Sequence, residues 1–186
     1  MFNNLEVRFI NLIQCMFFTE EFNHPFIGIT DYVAKFITSR KYKKYILTAY
    51  IIYMIIYNIN YNYIYLMLSV PKFYLFSLLS RSINIKIKLF SKRKRPYVDH
   101  QTIKVLEKTK EKKKNTYSFP SNSIQTSLIF YGFMLRTMDL GTCYNSIILT
   151  LIVLITSFAK INRGMHYPSD ILFSIGIYYI LLNLYV

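Results

Sequence analysis

The chain has 186 residues, enough for one domain of ordinary size, and it is 53% hydrophobic, with 18 Tyr, 15 Phe and no Trp. Its net charge of +14 would suit nucleic acid in a soluble protein, but twelve basic and three acidic residues crowd into 86–114, and the apolar residues come in blocks. A basic block beside apolar runs reads as a cytoplasmic loop facing anionic headgroups, so the composition points to membrane lipid and away from nucleic acid. Cys15 and Cys143 are too few and too far apart for a disulfide framework or a metal knuckle, and neither metal nor cofactor is expected.

Residues 1–37 alternate short apolar runs with Glu6, Arg8, Glu20, Glu21, Asp31 and Lys35. Runs of about ten apolar residues do not span a bilayer, so this part reads as interfacial helices broken at His24-Pro25. With no small-residue cleavage site, it fits a signal peptide poorly. Four cations follow in 40–44, and 45–71 carry no charge but include Asn58, Asn60 and Asn62. Asparagines are poor membrane residues, so a span over 45–57, a turn at the asparagines and a second span from 63 towards 87 are expected.

The basic loop, 88–115, is too polar to bury. The chain turns apolar again at Tyr117-Ser118-Phe119-Pro120-Ser121-Asn122-Ser123 and continues as a helix to about Leu135, in which Gln125, Thr126 and Ser127 face protein rather than lipid. A polar turn over 136–144, an apolar span over 145–158, a charged turn over 159–170 and a last span over 171–186 complete the chain. The fold class is therefore all-α, a polytopic membrane helix bundle with about five to six membrane-embedded helices. If each span crosses once, the 40–44 stop, the 88–115 loop and the 159–170 turn share one face, cytoplasmic by the positive-inside rule.

The charged turn needs a reason to lie between two apolar runs. His166 and Asp170 are four residues apart, which at a helix start puts carboxylate and imidazole on one face. An oriented imidazole is the better nucleophile. Lys160 and Arg163 nearby suit a phosphate, since both donate charge-assisted hydrogen bonds. A solvated interfacial loop with one ordinary histidine is the plainer alternative.

Three phrases together resemble the signature motifs of the type 2 phosphatidic acid phosphatase (PAP2) superfamily of lipid phosphatases and haloperoxidases. They are Lys88 followed after six residues by Arg95-Pro96, then Tyr117-Ser118-Phe119-Pro120-Ser121, then Arg163-Gly164-Met165-His166-Tyr167-Pro168-Ser169-Asp170. The resemblance covers about 66–186, within a single domain over 1–186 whose 1–37 is the interfacial segment. Its wording is most similar to the branch holding the polyisoprenoid diphosphate phosphatases and their inactive relatives. It implies an endomembrane protein, of the endoplasmic reticulum or a related membrane, acting on a phosphorylated lipid or prenyl diphosphate without metal. His166 would attack phosphorus to form a phosphohistidine, Asp170 would orient its ring, and Lys88, Arg95, Ser121 and Asn122 would hold the phosphate with Lys160 and Arg163.

Two departures bear on activity. The family's Pro-Ser-Gly-His is here Pro120-Ser121-Asn122-Ser123, so the histidine that protonates the leaving group is replaced by Ser123. Asn122 stands for the glycine and is the residue type that best tolerates a left-handed backbone in its place. A serine hydroxyl cannot act as a general acid near neutral pH, and such a loss costs about 10²- to 10⁴-fold. The third motif's leading Ser-Arg is Ala159-Lys160, which keeps charge but not the guanidinium's two-pronged grip. His100, four residues after Pro96, is a candidate to replace the missing acid. Two functions follow: a weak lipid phosphate or diphosphate phosphatase, or an inactive relative serving as a membrane scaffold or lipid-phosphate binder.

Overall fold

A computed structural model describes residues 2–17, 25–57, 63–103, 117–138 and 141–185. Regular structure among the described residues is helical: α1 (Phe2–Phe17), α2 (Pro25–Thr38), α3 (Arg40–Tyr57), α4 (Tyr63–Ser91), α5 (Pro96–Asp99), α6 (Asn122–Met138), α7 (Thr142–Asn162) and α8 (Pro168–Tyr185). The expected turn at Asn58, Asn60 and Asn62, His24 and residues 104–115 of the basic loop lie outside the described residues. Where the chain is described, the helices overrun the expected spans by a turn or so at their polar ends, because the helical hydrogen-bond ladder continues past the last apolar residue.

The bundle is organised around α6, which packs against α2, α4, α7 and α8. Ile124, Leu128, Ile129, Phe130, Phe133, Met134 and Leu135 are all buried along it, as expected of a helix apolar around most of its circumference. At Gly132 a Cβ would lie 2.2 Å from the Tyr178 hydroxyl oxygen; the missing side chain is what lets α8 close onto α6. Ile10 of α1 joins Ile124, Leu128, Met165 and Tyr167 in one core cluster, and Tyr50 of α3 joins Phe130 and Phe133 in another.

Near the motif-bearing end, α4 and α6 are joined by polar groups, and farther along by apolar packing, with Phe73 stacked on Phe133. Ser80 and Asn84 lie one turn apart on the face of α4 that leads to Lys88. Asn84 donates to the Gln125 side-chain oxygen, and Gln125 donates to Ser80 Oγ at 2.7 Å. All three are no more than 1% exposed. This explains why Gln125 turns away from the outer surface; Ser127, also buried, accepts from Lys43 Nζ at 3.0 Å.

Among the described residues, α7 is the helix long and apolar enough to cross a membrane, with 21 residues and a mean hydropathy of 1.8. Little of it is buried within the bundle, and Ile147, Leu151 and Leu154 face outward. The fold is all-α as expected, while the expectation of five to six membrane-embedded helices is matched by this one helix on length and hydropathy.

Candidate active site

The turn between α7 and α8 is shaped by residue types legible in the sequence. Gly164, at φ 60°, ends α7. Its N–H donates to Ile161 O at 2.8 Å and the Met165 N–H to Lys160 O at 3.0 Å, the paired bonds of a Schellman stop. Pro168 then opens α8, where its missing N–H costs nothing. His166 is left in the turn itself, 4% exposed.

Asp170, fully buried on the first turn of α8, reaches back into this turn. Its Oδ2 accepts the Tyr167 N–H at 3.0 Å and stands 3.4 Å from His166 Nδ1. A carboxylate that accepts a backbone N–H at a helix start is favoured by the helix dipole. The imidazole contact is longer than a well-made N–H···O bond, and by strict geometry Nδ1 is buried without a hydrogen-bond partner. Catalytic contacts of this kind commonly tighten in the substrate complex. His166 precedes the helix, so the pair meets because the turn folds back and not because both residues share a helical face.

Burial holds the His166 pKa down to about 4; the Asp170 hydrogen bond works against this, and the Arg95 and Lys88 charges add to it. The ring is therefore neutral at pH 7 and keeps a nitrogen lone pair. Arg95 is bonded to the backbone of the neighbouring Met165, and both cations are near enough to act on the ring's charge. Lys88, in the last turn of α4, donates to Pro120 O at 2.7 Å, Tyr117 O at 3.1 Å and Ser118 O at 3.5 Å. Arg95 is buried and donates to Met165 O at 3.0 Å and Tyr117 O at 3.5 Å. Burial lowers its pKa, opposed by Tyr97 and Asp170. The two cations thus tie the first motif to the second, and Arg95 to the third as well.

The second motif closes on α8. The Ser121 N–H is shared between Ser174 Oγ at 2.8 Å and Asp170 O at 3.3 Å, and Ser174 donates to Asp170 O at 2.7 Å. Ser121 Oγ is buried without a hydrogen-bond partner. Asn122 is exposed and Ser123 half-buried in the first turn of α6. Asn122 has ordinary helical geometry, so its tolerance of a left-handed backbone is not used; the described non-glycine residue with positive φ is Lys92, at 45°.

Lys160 is half-buried in the last turn of α7. Arg163 is turned towards α2, where it pairs with Asp31. His100 follows α5, with its Nε2 3.5 Å from Asp99. Composition and spacing gave no hint of Arg93, Glu6 or Ser174. Arg93 is one cation among many in a basic run. Ser174 is a lone hydroxyl in an apolar helix, though it stands one turn after Asp170. Glu6 is 163 residues from the serine whose N–H it accepts, which no local pattern can encode.

An all-helical bundle in which a buried His-Asp pair meets two basic residues and the starts of two helices belongs to a class built to receive a phosphate. A family model of the PAP2 superfamily matches residues 70–186, well over half of the chain, and the chain belongs to that superfamily. The family's activity is of the phosphatase type, on phosphorylated lipid substrates in general. No curated protein and no solved structure matches the chain.

Proposed function

We propose that the protein is an integral-membrane lipid phosphate or diphosphate phosphatase working through a phosphohistidine, with its site at the cytoplasmic headgroup plane. The observation that carries this reading is the buried, neutral His166 beside the Asp170 carboxylate, with Lys88 and Arg95 close enough to act on its charge. Nε2 of His166 attacks phosphorus, the bond to the leaving oxygen breaks, and the positive charge on the ring is shared with Asp170 through Nδ1–H. Water then attacks the phosphohistidine and releases phosphate, returning the ring to its neutral form.

Lys88 and Arg95 supply the charge that stabilises the transition state, the largest contribution in most such sites. Lys88 would exchange its longest contact, to Ser118 O, for a phosphate oxygen, and Ser121 Oγ would take a second. Arg163, paired with Asp31, serves the turn's attachment to α2; Lys160 and Asn122 would be peripheral phosphate contacts. A diphosphate leaves as a phosphate and needs little protonation, so with Ser123 at the acid position the reaction favours prenyl diphosphates over monoesters. The outward-facing apolar residues of α4 and α8, among them Leu75, Leu79, Leu172 and Ile180, fit further membrane-embedded helices beside α7.

Ser123 itself favours the second reading, a lipid-phosphate binder without turnover. Purified protein assayed on a prenyl diphosphate beside phosphatidic acid separates the two. The phosphatase reading expects phosphate release from the diphosphate that is lost in His166→Ala. Preferential turnover of the monoester defeats the substrate argument, and a silent wild type that stays silent as Ser123→His leaves the binder.

A further inference from the structure

The N-terminal helix lies outside the 70–186 family match, yet it straps the turn that holds His166. Glu6, Ile10 and Gln14 recur every four residues and so share one face of α1. Ile10 is fully buried in the core beneath the turn. Gln14 donates to Asn162 O at 2.7 Å, at the end of α7. Glu6 Oε1 accepts the Ser169 N–H at 2.9 Å, at the start of α8. One helix is therefore bonded to both shoulders of the six-residue segment between, 163–168.

Glu6 does a second thing. Its Oε2 accepts from Arg93 Nη2 at 2.6 Å, while Nη1 of the same guanidinium donates to Asp170 Oδ1 at 2.9 Å and to Ser169 Oγ at 2.6 Å. The Arg93 plane also lies 3.8 Å from the centre of the Tyr167 ring. Asp170 has no exposed side-chain surface whereas Arg93 keeps 23%. A buried carboxylate is costly without a cation against it, and a long side chain with an open edge is held more firmly when its far end is tied down as well. Glu6 ties it.

We propose that Glu6 is a positioning residue for the His166 nucleophile, acting through Arg93 to hold the Asp170 carboxylate aligned on Nδ1. The proposal rests on the reading of His166 as the nucleophile, but its direct test needs no turnover. The chain has three histidines, so ¹⁵N-histidine spectra of the full-length protein in detergent at pH 7 are sparse, and His166→Gln assigns the resonances of interest. The wild type is expected to hold His166 as the Nδ1–H tautomer. Glu6→Ala is expected to give a mixed tautomer, and Glu6→Gln, which still accepts but carries no charge, an intermediate state. Turnover on a prenyl diphosphate should fall about tenfold or more in Glu6→Ala, in kcat rather than KM, as misplacement of a reacting group does.

An unchanged His166 tautomer in both variants overturns the proposal, as does a wild-type ring found in the Nε2–H form. If Glu6→Ala fails to fold, the isosteric Glu6→Gln carries the test alone. A wild type without hydrolysis whose tautomer still depends on Glu6 supports the clamp while sinking the phosphatase reading; an active wild type with a Glu6-independent tautomer does the reverse.

Discussion

On the nucleophile side of the site, His166 sits in a turn closed by a Schellman stop, a proline-initiated helix and a buried carboxylate held by Arg93. On the leaving-group side, the first turn of α6 presents an exposed Asn122 and a half-buried Ser123, although the backbone beneath is fastened by Ser174 and by the Asn84-Gln125-Ser80 chain. Under the proposed mechanism, one side retains both scaffold and chemistry, the other the scaffold alone. Backbone that many contacts hold in place survives the loss of one functional group, because the side chain that protonates a leaving group contributes nothing to that fastening.

Breaking the intact side should give the largest effect: His166→Ala is expected to lower phosphate release from a prenyl diphosphate by roughly 10³-fold or more, since no other group can take over the attack. Restoring the other side should give the next largest. In Ser123→His, turnover is expected to rise about 10²- to 10⁴-fold, more on a monoester than on a diphosphate, read as released phosphate on the two substrates; an equal gain on both would separate position 123 from leaving-group protonation.

Gln125→Leu tests the scaffold under the second motif. It leaves Asn84 and Ser80 buried without their partner and should cost about 2–4 kcal/mol of stability, measured as a lower unfolding midpoint by circular dichroism. The buried histidine gives a pH signature of its own. With a folded pKa of about 4 below the ordinary value near 6.5, the unfolded chain binds the extra proton between the two. Stability is therefore full above about pH 6.5 and falls as pH drops towards 4, by about 1 kcal/mol between pH 7 and 5.5. His166→Gln should flatten that part of the denaturation profile.

The smallest effect is expected where the first motif turns towards the site. Lys92 follows α4 at φ 45°, a left-handed geometry unfavourable for a residue with a Cβ. Lys92→Gly should therefore stabilise by about 0.5–1 kcal/mol, the relief exceeding glycine's greater freedom in the unfolded chain. A loss in the same melting experiment would mean that the Lys92 side chain makes a contact worth more than the strain.

The third motif was the most legible part of the molecule, because Gly164, Pro168 and Asp170 act through near-neighbour backbone geometry that residue type alone dictates. The helices were legible for the same reason, from apolar blocks and the polar punctuation between them. What the sequence misled on, or left silent, was direction. Arg163 looks like a phosphate ligand from its neighbours, but α2 packs beside the turn and brings Asp31 to it. Asn122 looks like a glycine substitute in a loop, but the helix begins there.

The sequence by itself determined an all-helical chain with apolar blocks, three phrases resembling those of the PAP2 superfamily in order, and a histidine with its carboxylate four residues on. These are local facts, set by side-chain chemistry and by backbone preferences spanning a turn or less. Only the tertiary structure decided which cation of the basic run meets Asp170, which hydroxyl caps Ser121, and that Glu6 reaches across the whole chain to Ser169. Each of those depends on how helices dock, and docking is fixed by the sum of many weak apolar contacts rather than by any single pair of residues.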